Sequence, residues 1–339
     1  MVSNIKKYHS NFDEVLYTIQ SARQKVFKQV NASLIELYWS IGKYISEQVK
    51  ISDWGKGIVE ELASFISQKE PELKGFTANN IWRMKKFYET YKNLPQCGNK
   101  LPTPWTELSW SHHRRIMTLK TEEERGFYLL ICSKQNYSVR ELEKLINSST
   151  FERTMIANEN LSEQVKKLPQ KTESVFKDSY IFDFLNLPKE HKEKDLQKAL
   201  IMSLKDFILE LGAGFSFIGE EFRLQVGNDD FYIDLLFFHR ELQCLVAFEL
   251  KTEKFKPQHM GQLEFYLEAL DRDVKLPQEN PSIGVLLCRE KDSEVVKYAL
   301  SRSLSPAIVS DYETKLIPKA ALQRKLNELY EILEKEKEK

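Results

Sequence analysis

Three charged residues sit inside stretches that are otherwise apolar, and this confines where those stretches can lie. In FYIDLLFFH (residues 231–239) the embedded charge is Asp234, and in CLVAFELKT (residues 244–252) the charges are Glu249 and Lys251. Runs that are apolar on both faces are those of buried central strands. A lone carboxylate there is strongly disfavoured, so each of these groups needs partners. Glu249 and Lys251 are two apart and share one face of a strand. A turn at residues 239–243 makes the two runs an antiparallel hairpin. If that loop pairs Phe238 with Gln243, Asp234 stands opposite Ala247 and Glu249 is its diagonal neighbour, roughly 7–8 Å away on the same face.

Two carboxylates converging with a lysine suit a hard divalent cation, which takes oxygen ligands and keeps water positions open. Mg²⁺ or Mn²⁺ is the expected ion. Such a metal stabilises charge on a phosphate and lowers the pKa of water, and Lys251 would hold or deprotonate that water or neutralise charge in the transition state. The plainer alternative is a structural Asp–Lys–Glu group. Buried ionic groups are often neutral or costly beside apolar packing, which makes them a poor default explanation. The D-x14-E-x-K spacing alone is a weak signal; its setting strengthens it.

That setting is a change of texture along the chain. The first half reads as helices, with apolar residues at helical spacing in Val30, Leu34, Leu37, Tyr38 and Ile41 and again in Ile58, Leu62, Phe65 and Ile66. A loop rich in proline covers residues 93–105. Beyond the middle, the patterns give a helix (199–212), three strands, a helix (257–270), a strand (282–288), a helix and a short strand (307–312). The fold class is therefore α+β: a mostly helical, winged-helix or helix-turn-helix-like N-terminal domain ahead of an α/β core. The expected boundaries are a helical, nucleic-acid-binding domain over 1–150, a linker over 151–194, a catalytic domain over 195–315 and a charged helix over 316–339. Leu322, Leu326, Leu329 and Leu333 form a seam of about two heptads on that last helix, too short to argue an oligomer, so packing against its own domain is expected and a homo-oligomer stays open.

Bulk properties exclude several classes. Fifty basic residues balance fifty acidic ones, so any surface for nucleic acid must be a local basic patch. The four cysteines form no C-x-x-C pair, which argues against zinc ribbons and disulfide frameworks, and adjacent His112 and His113 lack further ligands at metal spacing. No run approaches the roughly 20 apolar residues that span a bilayer, and the N-terminus has no signal-like segment, so no membrane partner and a cytoplasmic location are expected.

In the N-terminal half, residues 58–69, a turn and residues 78–91 have the cadence of a helix-turn-helix. Thr77 is the expected N-cap of the second helix, with Ile81, Met84, Phe87 and Tyr88 facing the core. The remaining faces carry Asn79, Asn80, Arg83, Lys85 and Lys86, groups suited to base edges and phosphates. A second basic cluster is His112, His113, Arg114 and Arg115. A generic helical bundle with a solvated basic face accounts for the same pattern.

The hairpin carrying Asp234, Glu249 and Lys251, within helix–three strands–helix–strand, resembles the PD-(D/E)XK nuclease core. The resemblance implies that Asp234 and Glu249 are metal ligands and Lys251 the catalytic lysine. In GQLEFYLEALD, Gln262 and Tyr266 resemble the Q-x-x-x-Y motif of RecB-like members, which implies that Gln262 orients substrate or lysine and Tyr266 contacts nucleic acid. Glu210 matches the extra acid that some members carry near the metal. The wording of DDFYIDLLFFHRELQCLVAFELK, FKPQHMGQLEFYLEALD, YWSIGKYI, WGKGIVEELA and LSWSHHRRIM is similar to the YhcG-like bacterial family over nearly the whole chain. Glu220 and Glu221 depart from it, standing where a basic or amide pair is expected. The resemblance implies a metal-dependent nuclease acting on DNA. Two rival readings stay open: a nuclease-fold binding module that does not cleave, and a protein–protein adaptor.

Overall fold

The computed structural model describes residues 9–51, 55–93, 101–159, 162–166, 175–188, 190–301 and 303–337. Most of the proline-rich loop expected at 93–105 lies outside the described residues, as do parts of the expected linker. The chain forms two compact units, Met1–Glu143 and Lys144–Lys339.

The first unit is helical, with no strand among its described residues and hence no wing among them. Its longest element is α1 (His9–Ile51), followed by α2 (Lys56–Lys69) and α3 (Ala78–Tyr91). Thr77 caps α3 by accepting from the Asn80 amide, satisfying one orphan donor of the first turn. Ile81, Met84, Phe87 and Tyr91 are buried, while Tyr88 is half-buried. α1 packs tightly on α3: a Cβ on Gly42 would lie 2.1 Å from the Met84 carbonyl oxygen. On α1 itself the buried face is Ile35, Tyr38, Trp39 and Ile45. Val30 and Leu37 lie on the opposite, exposed side, because this helix carries apolar residues on two faces. The connection between α2 and α3, residues 70–77, is longer than the 3–4-residue turn of a helix-turn-helix. After α4 (Thr103–Thr106) comes α5 (Trp110–Ile116), then α6 (Glu122–Gln135) and α7 (Val139–Asn147).

The second unit is built on a six-stranded sheet of order β1-β6-β5-β4-β3-β2. The strands are β1 (Ser179–Ile181), β2 (Phe215–Val226), β3 (Asp229–His239), β4 (Cys244–Leu250), β5 (Ile283–Cys288) and β6 (Ala307–Glu313). β2, β3 and β4 form an antiparallel meander, and β4, β5, β6 and β1 are parallel neighbours. Helices cover both faces. With α8 (Thr150–Glu159) and α9 (Glu163–Lys166) preceding them, α10 (Glu193–Met202) and α11 (Leu204–Leu211) pack Leu196, Leu200, Phe207 and Leu211 against Phe237, Phe248 and Val285. On the other face, α12 (His259–Ala269) sets Tyr266 and Leu267 beside Leu236 and Ala247, and α13 (Ser293–Leu300) packs beside Leu286 and Val309. The expected helix over 199–212 is thus two helices that meet at Ser203.

Residues 151–194, expected as a linker, contribute core instead. Arg153, Phe176, Lys177, Asp178 and Tyr180 are buried, and β1 pairs with β6. The segment reads as polar because its ions are paired internally: Arg153 and Lys177 bind Glu210, and Lys291 and Lys325 bind Asp178. The last helix, α14 (Lys319–Lys337), buries Leu322 and Leu326 and pairs Lys319 with Glu152 of α8. The side chains of Leu329 and Leu333 lie outside the described residues.

Candidate active site

The hairpin register brings the two carboxylates closer together than the sequence suggests. Leu235 pairs with Phe248 and His239 with Cys244, so one further step sets Asp234 opposite Glu249 rather than opposite Ala247. The two-residue difference comes from the turn. Gln243 takes a left-handed φ of 49°, and the His239 ring accepts the Leu242 amide, closing the loop at His239 rather than at Phe238. Because strand side chains alternate with a period of two, the shift leaves the shared face unchanged. On the other flank, Glu220 pairs with Leu235 and Phe222 with Ile233, which puts Glu221 across from Asp234 in a locally left-handed backbone (φ 45°). Three adjacent strands therefore each contribute one acid at the same level.

The polar contacts are specific. Asp234 Oδ2 accepts the Leu250 amide at 2.7 Å, tying β3 to the end of β4. Lys251 Nζ donates to Glu249 Oε1 at 2.8 Å and lies 3.7 Å from Glu193 Oε2 on α10. Gln197, one turn along that helix, donates to the Asp234 carbonyl at 2.9 Å. Gln262 donates to the Tyr266 hydroxyl at 2.8 Å, so the i, i+4 pair on α12 is formed.

Burial and repulsion set the charge states. Burial and the neighbouring Asp234 push Glu249 up to about 7 against the opposing pull of Lys251. Asp234 is also raised, chiefly by burial and further by Glu193 and Glu221, although the Leu250 amide and Lys251 work the other way. For Lys251, burial opposes the charge, but the hydrogen bond and charge of Glu249, with Glu193 and Asp234, hold it above its ordinary value. Burial raises Tyr266, and the charges of Glu249 and Asp234 add to the effect, marking its hydroxyl as part of the same electrostatic group.

A hard cation fits these residues. Glu249 Oε2 is buried without a hydrogen-bond partner, an oxygen that a metal would satisfy. The donors are carboxylates, the hard oxygen ligands that Mg²⁺ or Mn²⁺ prefers. No group of three or more acid, histidine or cysteine side chains among the described residues forms a ready cage. An ion that keeps several of its waters needs only one or two carboxylates.

The other expected site residues divide. Glu210 is engaged otherwise: buried, it is bound by Arg153 and Lys177 and accepts the Ile181 amide at 2.8 Å, which holds it below its ordinary range. Burial of its carboxylate demanded those partners, and they come from the segment expected to be a linker. Sequence reasoning does not reach Glu193, Gln197 and Glu221. Glu193 and Gln197 sit in a polar stretch around the expected linker boundary, and Glu221 stands out in the sequence only as a departure from the family pattern. In the first unit, Asn80 is engaged internally: its side-chain carbonyl accepts the Trp110 indole N–H, and its amide donates to Gly75. Lys85 is half-buried and pairs with Glu89 at 2.8 Å. Asn79, Arg83 and Lys86 are exposed along one side of α3. Arg114 is exposed, while Arg115 pairs with Glu143. His112 bridges Ser109 and the Tyr137 carbonyl, and fully buried His113, lowered to about 3 by burial, contacts the Trp105 carbonyl.

With this geometry in place, the likeness to known proteins is informative. Residues 14–153 match the family model described as the DUF1016 N-terminal domain, and residues 173–327 match the YhcG PDDEXK nuclease domain. The chain is 30% identical to the protein of Escherichia coli (strain K12) named "Putative nuclease YhcG", across 96% of each chain. Among solved structures, a repair endonuclease from Pyrococcus abyssi aligns over 38% of this chain and 50% of its own, with 16% identity and a TM-score of 0.26. EndoMS in its apo form aligns over 38% and 48%, with 15% identity and a TM-score of 0.24. No described helix is long and apolar enough to cross a membrane.

Proposed function

Since the chain belongs to the YhcG family, a DUF1016 N-terminal domain joined to a PDDEXK nuclease domain, we propose that it is a divalent-metal-dependent nuclease that hydrolyses phosphodiester bonds in DNA. The observation that carries the reading is the facing pair Asp234 and Glu249 with Lys251 at 2.8 Å and one buried carboxylate oxygen unsatisfied. Asp234 Oδ and Glu249 Oε2 would hold Mg²⁺ or Mn²⁺. When bound, the ion supplies Lewis-acid stabilisation of phosphate charge and acidifies water.

The chain's own residues do the rest. The Leu250 amide fixes one oxygen of Asp234, leaving the other to face the group. Gln197 fixes the backbone of the same residue from α10. Lys251 stays charged beside Glu249, and its Nζ donates a hydrogen bond to the attacking water or to the non-bridging oxygen that gains charge in the transition state. Gln262 and Tyr266 present a linked amide and hydroxyl from α12 for the substrate backbone. Glu193, within reach of Lys251, is an added carboxylate that holds the lysine's orientation. In the first unit, Asn79, Arg83 and Lys86 of α3, with Arg114, are the groups left to meet phosphates.

The test is cleavage of labelled DNA and RNA by the purified full chain with Mn²⁺ or Mg²⁺. Lys251→Ala is expected to retain fold, DNA binding and Mn²⁺ binding while losing roughly 10²–10⁴ in rate. Asp234→Ala loses turnover to at least the same extent and also weakens the metal titration. Normal cleavage by folded Lys251→Ala would remove the assignment and leave the nuclease-fold binding module.

A further inference from the structure

α1 spans 43 residues, yet none of its described side chains before Ile35 is buried. Its inner face, Ile35, Tyr38, Trp39 and Ile45, packs into the first unit. On the opposite side Val15, Ile19, Val26, Val30, Leu37 and Ile51 are each 45–80% exposed. At about 100° per residue these six fall within an arc of about 60°, a straight stripe about 54 Å long. A helix in water draws most of its stability from packing an apolar face, and an exposed stripe of this length, with Lys25, Glu36 and Lys43 along one edge, marks an interaction surface.

We infer that the outer stripe of α1 is a self-association surface on which a second copy of the chain pairs antiparallel, with the two-fold axis near Val30. The sequence of the stripe selects this occupant. Read from Val30 in either direction, the stripe positions recur at nearly the same steps: Val26, Ala22, Ile19 and Val15 one way, Ser33, Leu37, Ser40 and Tyr44 the other. An isologous pair therefore sets Leu37 of each chain across from the small Ala22 of its partner, Val26 across from Ser33 and Ile19 across from Ser40, large against small at the three inner steps, with Val15 meeting Tyr44 at the outer one. The flanking charges agree. Lys25 and Glu36, both exposed, lie on the same rim of the stripe. In the antiparallel arrangement like rims meet, so Lys25 of one copy faces Glu36 of the other, twice by symmetry. In a parallel pair the like rims of the two copies lie on opposite sides of the seam, and these charges do not meet.

Sedimentation velocity of the full-length protein across a concentration series tests the surface. The wild type is expected to dimerise, and Val26→Glu/Val30→Glu is expected to be monomeric with unchanged helical circular dichroism. Lys25→Glu should weaken the dimer by about tenfold, two attractive rim pairs becoming repulsive. Lys25→Glu/Glu36→Lys should restore it. Both are surface changes that keep the test valid even where the double glutamate variant misfolds. A wild type that stays monomeric at about 100 μM, far above micromolar affinity, overturns the inference. So does a dimer indifferent to the stripe variants, or one that Lys25→Glu leaves as tight as before.

Discussion

The hairpin of β3 and β4 and the helix α3 both carry polar residues that the sequence marks as functional, and the two regions treat them differently. On the hairpin, Asp234, Glu249 and Lys251 are drawn together and held by hydrogen bonds. On α3, Asn80 and Lys85 turn inward to Trp110 and Glu89, and only Asn79, Arg83 and Lys86 remain on the surface. The cost of burial explains the contrast. A carboxylate inside an apolar strand is tolerable only with partners, so its presence in the sequence carries information about what it meets. A lysine or asparagine on a helix can stay in water or take a local partner at little cost, so its presence alone says little about what it meets.

Glu210 breaks that comparison most sharply, being a buried acid whose partners are structural. Glu210→Ala leaves Arg153 and Lys177 buried and uncompensated, and about 3–5 kcal/mol of stability should be lost. Chemical denaturation reads this directly, and the Mn²⁺ titration of the variant that still folds should match wild type. A selective loss of metal binding with stability intact would return Glu210 to the site.

The next effect concerns Glu249. Its ordinary value of 4.5 is raised to about 7 in the folded chain. An acid raised on folding favours the folded state while protonated. Its stabilising contribution is therefore full below the unfolded value and lost as pH rises through the folded one. With metal chelated, thermal stability should fall across that window by the order of 3 kcal/mol, and Glu249→Gln should flatten the profile. Saturating Mn²⁺ should flatten it in wild type too, because the ion relieves the repulsion and binds the folded state. Identical pH profiles for wild type and variant under chelation would show that Lys251 already neutralises the pair.

The smallest effect sharpens the reading of α3. Arg83→Glu/Lys86→Glu should weaken DNA binding and lower the salt slope by about 0.9 for each phosphate no longer neutralised. Lys85→Ala, removing a residue paired with Glu89, should leave the slope unchanged. If all three positions behave alike, the exposed edge of α3 is not where DNA is met.

Much of the second unit is legible in the sequence because strands have a short, strict period. The limits of β2 follow directly from FSFIGEEFRLQV, and the helix–strand order after it is as the apolar runs imply. What stays hidden has long-range partners. β1 is three residues long and exists because β6 is beside it. Glu193 and Gln197 lie in a polar stretch whose helix forms over the sheet, and nothing local distinguishes their side chains from solvent-facing ones. The hairpin register departs from expectation by two residues because its closure depends on the His239 ring and on a left-handed Gln243, neither of which a hydrophobic pattern encodes. The shared face is nonetheless as expected, since an even slip preserves it.

Gly284 on β5 gives α12 its depth. A Cβ at that position would come within 2.7 Å of the Leu263 side chain, one residue along from Gln262. The helix bearing Gln262 and Tyr266 is thus spaced from the sheet by an absent methyl group. An alanine there would act as a shim, lifting the amide–hydroxyl pair off Asp234 and Glu249 without touching any polar atom. Distance between the two halves of the site is in that sense adjustable from beneath the helix.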